Sequence, residues 1–116
     1  MAAWDFPYHR IRGLDLSGFD VEAVDGRVGK VDEAGYAEGE SFLLVNTGRV
    51  FGKKVILPAG TVNRIELDSK RVFVDPRKDD VKNAPEHEPG RRLDEAYRRQ
   101  LAGYYRLEQA PAPEQG

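Results

Sequence analysis

The sequence predicts an all-β fold, a small antiparallel β-barrel or tightly curled sheet, followed by one amphipathic helix. Short alternating or wholly apolar runs fill residues 18–75, among them residues 42–45, 55–57 and 72–74. Turn chemistry separates the runs: Asp25-Gly26, Thr47-Gly48, Pro58 and Asp68-Ser69-Lys70. After Asp75 the chain becomes charged and proline-bearing, and from Leu93 the apolar period becomes helical.

Residues 1–17 read as an extended arm. Trp4, Phe6 and Tyr8 alternate, which places three rings on one side of an extended segment, and Pro7 lacks the donor a central strand needs. Residues 19–24 form the first strand, Asp25-Gly26 supplies the positive-φ turn of a two-residue hairpin, and residues 27–34 return. Gly29 marks a bulge or sharp bend within that return. Residues 35–40 are a polar, acidic loop. Residues 41–47 are too apolar for a strand wet on one side and read as the central strand, covered on both faces.

A turn over residues 48–52 leads to a strand at 53–57, ended by Pro58 and an Ala59-Gly60 turn. Residues 62–67 and 71–74 make the last hairpin. A linker covers 76–90, and a helix covers 91–106, with Leu93, Ala96, Tyr97, Leu101, Tyr104 and Tyr105 near one face. Asp94 is its N-cap, and Gly103 weakens its last turn by about 1 kcal/mol relative to alanine. Residues 107–116, with two prolines, read as a disordered tail. On this reading, removing everything after Pro89 leaves a folded barrel.

The order and spacing of these runs resemble a PRC-barrel domain, the module named for the cytoplasmic part of the photosynthetic reaction-centre H subunit. The same module forms the C-terminal half of the ribosome-maturation factors that assist small-subunit assembly. The resemblance covers residues 18–85 and rests on Gly18-Phe-Asp-Val21, Asp25-Gly26 with Gly29-Lys-Val-Asp32, the apolar strand 42–45, Gly52-Lys-Lys-Val-Ile-Leu-Pro58 and Val62-Asn-Arg-Ile65. Residues 78–85 and 97–105 are similar to stand-alone members of actinobacterial type. The resemblance implies a compact six-stranded β-barrel used as an adaptor for protein contact. It brings no active site, because the family is not defined by one. No membrane helix stands before the barrel and seventeen residues precede it, so neither specialised role is implied.

Composition narrows the function classes. The 116 residues suit one domain, and a chain of this size can bury a core of its own. The net charge of -2 comes from basic and acidic residues interleaved along the chain, which disfavours a broad phosphate-binding face. With no cysteine there is no thiolate site or disulfide, and no apolar run approaches the roughly 20 residues of a membrane span. The first residues have neither a charged start nor an apolar signal core, so a cytoplasmic location is expected.

No motif carries chemistry. The two histidines, His9 and His87, stand far apart and read as exposed and non-ligating. The acidic groups at residues 32–33, 38–40 and 79–80 lack calcium-loop spacing. No serine or threonine sits in a nucleophile elbow, and the glycines of residues 25–29 join two strands rather than a strand and a helix. The expectation is therefore a non-enzymatic protein-interaction module, self-associating, with no cofactor and no metal. Its candidate interface is aromatic: Trp4, Phe6 and Tyr8 from the arm, with Tyr97, Leu101, Tyr104 and Tyr105 from the helix. Packing of both elements onto the barrel accounts for the same residues equally well. The alternative is an RNA- or ribosome-associated module using a basic patch of Lys53, Lys54, Arg64 and Arg71. Edge strands that carry Lys and Arg to deter pairing explain those four residues too. A small-ligand binder is the further alternative, and it requires a deep pocket with convergent polar groups.

Overall fold

A computed structural model describes residues 3–6, 14–37, 39–48 and 52–107. Six strands form one sheet: β1 (Asp20–Ala23), β2 (Gly26–Gly35), β3 (Phe42–Asn46), β4 (Lys54–Pro58), β5 (Val62–Glu66) and β6 (Arg71–Val74). Two helices follow, α1 (Lys78–Lys82) and α2 (Glu95–Tyr104). The strand order is β4-β3-β2-β1-β6-β5, with β1 and β6 parallel and every other pair antiparallel.

All six strands send side chains into one apolar cluster, from Val21 and Val31 to Leu43, Leu57, Val62 and Val72, so the sheet curls around its own core. It does not close into the expected barrel. The end strands β4 and β5 are consecutive, but the 3-10 turn Ala59–Thr61 takes the chain round a corner instead of folding it into a hairpin. Pro58, the last residue of β4, has no N–H to offer a neighbour at that corner. The free edge of β4 is taken instead by the later segment, through an antiparallel bridge from Val55 to Glu86 and a 2.8 Å hydrogen bond from the His87 N–H to the Lys54 carbonyl.

Several local expectations shift. Val24 and Asp25 occupy the first hairpin turn, one residue earlier than expected, because the positive φ belongs to Gly26, paired with Ala23 at the start of β2. Asp25 is thereby free to accept a 2.8 Å hydrogen bond from the Lys78 N–H, which anchors the start of α1. That helix lies within the expected linker, and its one buried residue, Val81, joins the main core. The bulge expected in β2 falls at Val28, next to Gly29, with Gly29 opposite Val21 and Arg27 opposite Glu22.

β3 lies second from the edge rather than at the centre, yet it is covered on both faces as expected. Leu43 and Val45 face the main core, while Leu44 joins Ile56 of β4 in a second apolar cluster on the outer face. α2 and the N-terminal segment supply the rest of that cluster: Tyr97, Leu101 and Ala102 with Ala3 and Trp4. Asp94 caps α2 by accepting a 2.9 Å hydrogen bond from the Tyr97 N–H. The helix ends with Arg106 left-handed at φ 59 and the Leu107 N–H bonded to the Ala102 carbonyl, which folds Leu107 back onto the second cluster.

Candidate functional site: a cleft on the outer face of the sheet

The segment that seals β4 also builds a cleft on the outer face. After Glu86 and His87 pair with the strand, Pro89 and Gly90 (φ +80) turn the chain, and Leu93 returns to the second cluster ahead of α2. Between this strap and the sheet lies a cleft of about 550 Å³. Phe42, Leu44, Ile56 and Leu93 line it with apolar surface, and Asp32, Glu33, Lys54, His87 and Arg91 line it with polar and charged groups. β3 and β4 each alternate one residue inward and the next outward, so Leu44 and Ile56 face the cleft only because their neighbours fill the core.

The strap is held from below by one aromatic residue. The His87 ring lies parallel to Tyr97, with centroids 5.8 Å apart, and its Nδ1 is 3.0 Å from the Tyr97 hydroxyl. The Arg91 guanidinium covers the Tyr97 ring at 3.7 Å. Within the same lining Lys54 pairs with Asp32 at 2.9 Å. Burial, and then the neighbouring Arg91 charge, holds the His87 imidazole below its ordinary value, against a smaller opposing pull from Glu33 and Glu88.

This shift has a sign that can be measured. The folded chain favours neutral His87, so as the pH falls the unfolded chain binds the proton first. Stability is therefore undiminished above the ordinary value of 6.5 and declines as the pH drops through the lower folded-state value. Urea midpoints taken from about pH 8 to about pH 5 should fall more for the natural chain than for His87→Gln, which keeps an acceptor for Tyr97 but does not titrate. A pH-independent difference between the two would contradict the assignment.

The aromatic candidates do not form one surface. Trp4, Tyr97 and Leu101 are 4%, 0% and 0% exposed, all inside the second cluster, which gives them to the chain's own packing. The arm is not extended there: Ala3 and Trp4 lie in a turn, fixed by hydrogen bonds from Gly60 N–H to the Ala3 carbonyl and from Ser41 N–H to the Trp4 carbonyl. Phe6 departs from Trp4 to pack on the main core, 5.4 Å from the Tyr36 ring. Tyr8 and His9 lie outside the described residues. Tyr105 also turns to the main core, where burial pushes its phenol well up. Tyr104 is exposed, edge-on to Tyr105 at 4.9 Å, and donates to the Asp80 carbonyl at 2.6 Å.

The four basic candidates divide between opposite ends of the sheet. Lys53 and Lys54 lie at β4, where Lys53 donates to the Lys82 carbonyl at 2.9 Å and Lys54 meets Asp32. Arg64 and Arg71 lie on β5 and β6. Arg64 pairs with Glu66 at 3.0 Å and covers the Phe73 ring at 4.0 Å, while Arg71 stands opposite Glu66 in the ladder. Their separation follows from strand order, because β4 and β5 are the two ends of the sheet. His87, read as an exposed residue, is half-buried against Tyr97, ten residues away, at a spacing with no sequence signature.

Among the described residues no group of three or more His, Cys, Asp and Glu could hold a metal ion, and no helix is long and apolar enough to cross a membrane. No protein-family model matches the chain, and no curated protein matches it. Among solved structures the chain is similar to a Pseudomonas aeruginosa protein described as a 16S ribosomal RNA processing protein, RimM, at 23% identity and a TM-score of 0.46. The match covers 55% of this chain and 42% of that one. The chain spans less than half the length of that structure, and a likeness of this size bears on neither activity nor partners.

Proposed function

We propose that the chain is a non-enzymatic adaptor that holds a segment of a protein partner in the cleft under residues 86–93. The observation that carries this reading is the cleft's composition: four apolar side chains together with the opposite charges of Glu33 and Arg91. An extended segment carrying an apolar side chain between charged ones satisfies that surface. Backbone amides of such a segment lie against a wet rim, where they keep their hydrogen bonds. The same site offers little to catalysis. His87, the one group poised to exchange a proton near neutrality, has its Nδ1 committed to Tyr97.

Selection of peptides on the immobilised protein, followed by amide-shift mapping, tests the reading. Bound peptides should perturb Leu44, Lys54, Ile56 and Leu93, and Glu33→Lys or Leu93→Asp should weaken them about tenfold or more with the fold intact. Peptides that map to another face, or that ignore both substitutions, would overturn it.

A further inference from the structure

We infer that the pocket at the C-terminal end of α2 binds a small alkylated ammonium ion, at a site separate from the cleft. Four parts of the chain build it: the residues after β6, helix α1, the 3-10 turn and the residues that close α2. Its volume is about 280 Å³, at the small end for ligand pockets.

The lining combines the two kinds of group that recognise such a cation. Asp75 and Asp80 supply carboxylates, and neither forms an ion pair among the described residues. Tyr104 and Tyr105 supply two rings at 90° to each other, with centroids 4.9 Å apart. Perpendicular rings enclose a corner between their faces, and a cation over an aromatic face is held best where apolar groups strip its water. Pro76 and Leu107 add apolar surface of that kind. The C-terminal end of a helix also carries partial negative charge, and α2 has no basic residue in its last turn to offset it. Arg106 is the lining's cation among the described residues. It is exposed and unpaired there, and the two carboxylates outweigh it. A calcium ion fits less well. It takes roughly six to eight oxygens, and no metal-holding group of three or more His, Cys, Asp and Glu occurs among the described residues.

Titration of the full chain with tetramethylammonium chloride, followed by amide shifts, tests the inference, with sodium chloride as the control. Saturable shifts should centre on Asp75, Asp80 and Tyr105 with a dissociation constant of about 1 mM, and sodium should not reproduce them. Leu44 and Ile56 should not shift, so this site and the cleft stand or fall separately. Asp75→Asn and Asp80→Asn keep an oxygen acceptor for the Asn63 amide and the Arg77 N–H, and circular dichroism checks that they fold. Each should weaken binding about fivefold, the upper end for an exposed ion pair. Arg106→Asn removes the opposing charge with a residue that tolerates the left-handed φ of 59, and should tighten binding about threefold. Tyr104→Phe should bind as the natural chain does, whereas Tyr104→Leu, which has no aromatic face, should weaken binding about fivefold. Shifts that do not saturate by about 10 mM, that sodium reproduces or that centre on the cleft would overturn the inference. So would folded carboxylate variants that bind as tightly as the natural chain, or an Arg106→Asn chain that binds more weakly.

Discussion

Tyr97→Ala is expected to cost about 3–5 kcal/mol of folding stability, the range for truncating a buried aromatic residue. Tyr97 has no exposed surface, and it lies between the sheet and the strap of residues 86–93. Below it are Leu44 and Ile56 on the sheet, and above it the strap stacks His87 and Arg91 on its ring. Its removal leaves a cavity in the second cluster and releases the strap, so the cleft should lose its shape along with the stability. Tyr97→Phe separates the two contributions. It keeps the packing, loses the contact with His87 Nδ1, and should cost about 1 kcal/mol. Urea denaturation of both variants checks this, and a loss below 1 kcal/mol for the alanine variant would show that the second cluster is not a structural layer.

The same packing revises the expectation that a chain cut after Pro89 keeps its fold. Such a cut removes Tyr97, Leu101 and Ala102 and exposes Trp4, Leu44 and Ile56 to water. Each large apolar side chain so exposed forfeits roughly 1.5–3 kcal/mol, which together is comparable with the whole stability of a small domain.

Gly29→Ala is the second large effect. A Cβ there would lie 2.3 Å from the Asn46 carbonyl oxygen, 3.1 Å from the Asn46 carbonyl carbon and 3.2 Å from the Thr47 Cα. All three are backbone atoms at the end of β3, so no side-chain rotation relieves the clash. β2 is also held on its other side by β1, and it can move away from β3 only by breaking that ladder. The expected cost is about 3 kcal/mol, the upper end for overpacking a well-packed site. Gly103→Ala is the control. That position is within α2, is exposed and has nothing within 4 Å, so alanine should stabilise by about 0.5–1 kcal/mol. Equal behaviour of the two variants in thermal denaturation would refute the close approach of β2 and β3.

The six strands and the long helix α2 are legible in the sequence, because apolar period and turn chemistry are local, whereas the short helix α1 lies in a stretch read as linker. The unbroken apolar run at residues 42–45 already required cover on both faces, and Asp94 already marked the start of α2. Gly29 marked a bulge or sharp bend, but not the close approach of β3. How the elements meet is set by contacts distant along the chain. The Ala59–Thr61 turn leaves the sheet open where a hairpin would have closed it. Strand order sends Lys54 and Arg64 to opposite ends, although ten residues separate them in sequence. Docking of α2 turns Tyr97 and Leu101 into core, and the strap brings His87 onto Tyr97. Those outcomes depend on contacts between residues distant along the chain, and their free energy comes from burial that no single window of sequence can register.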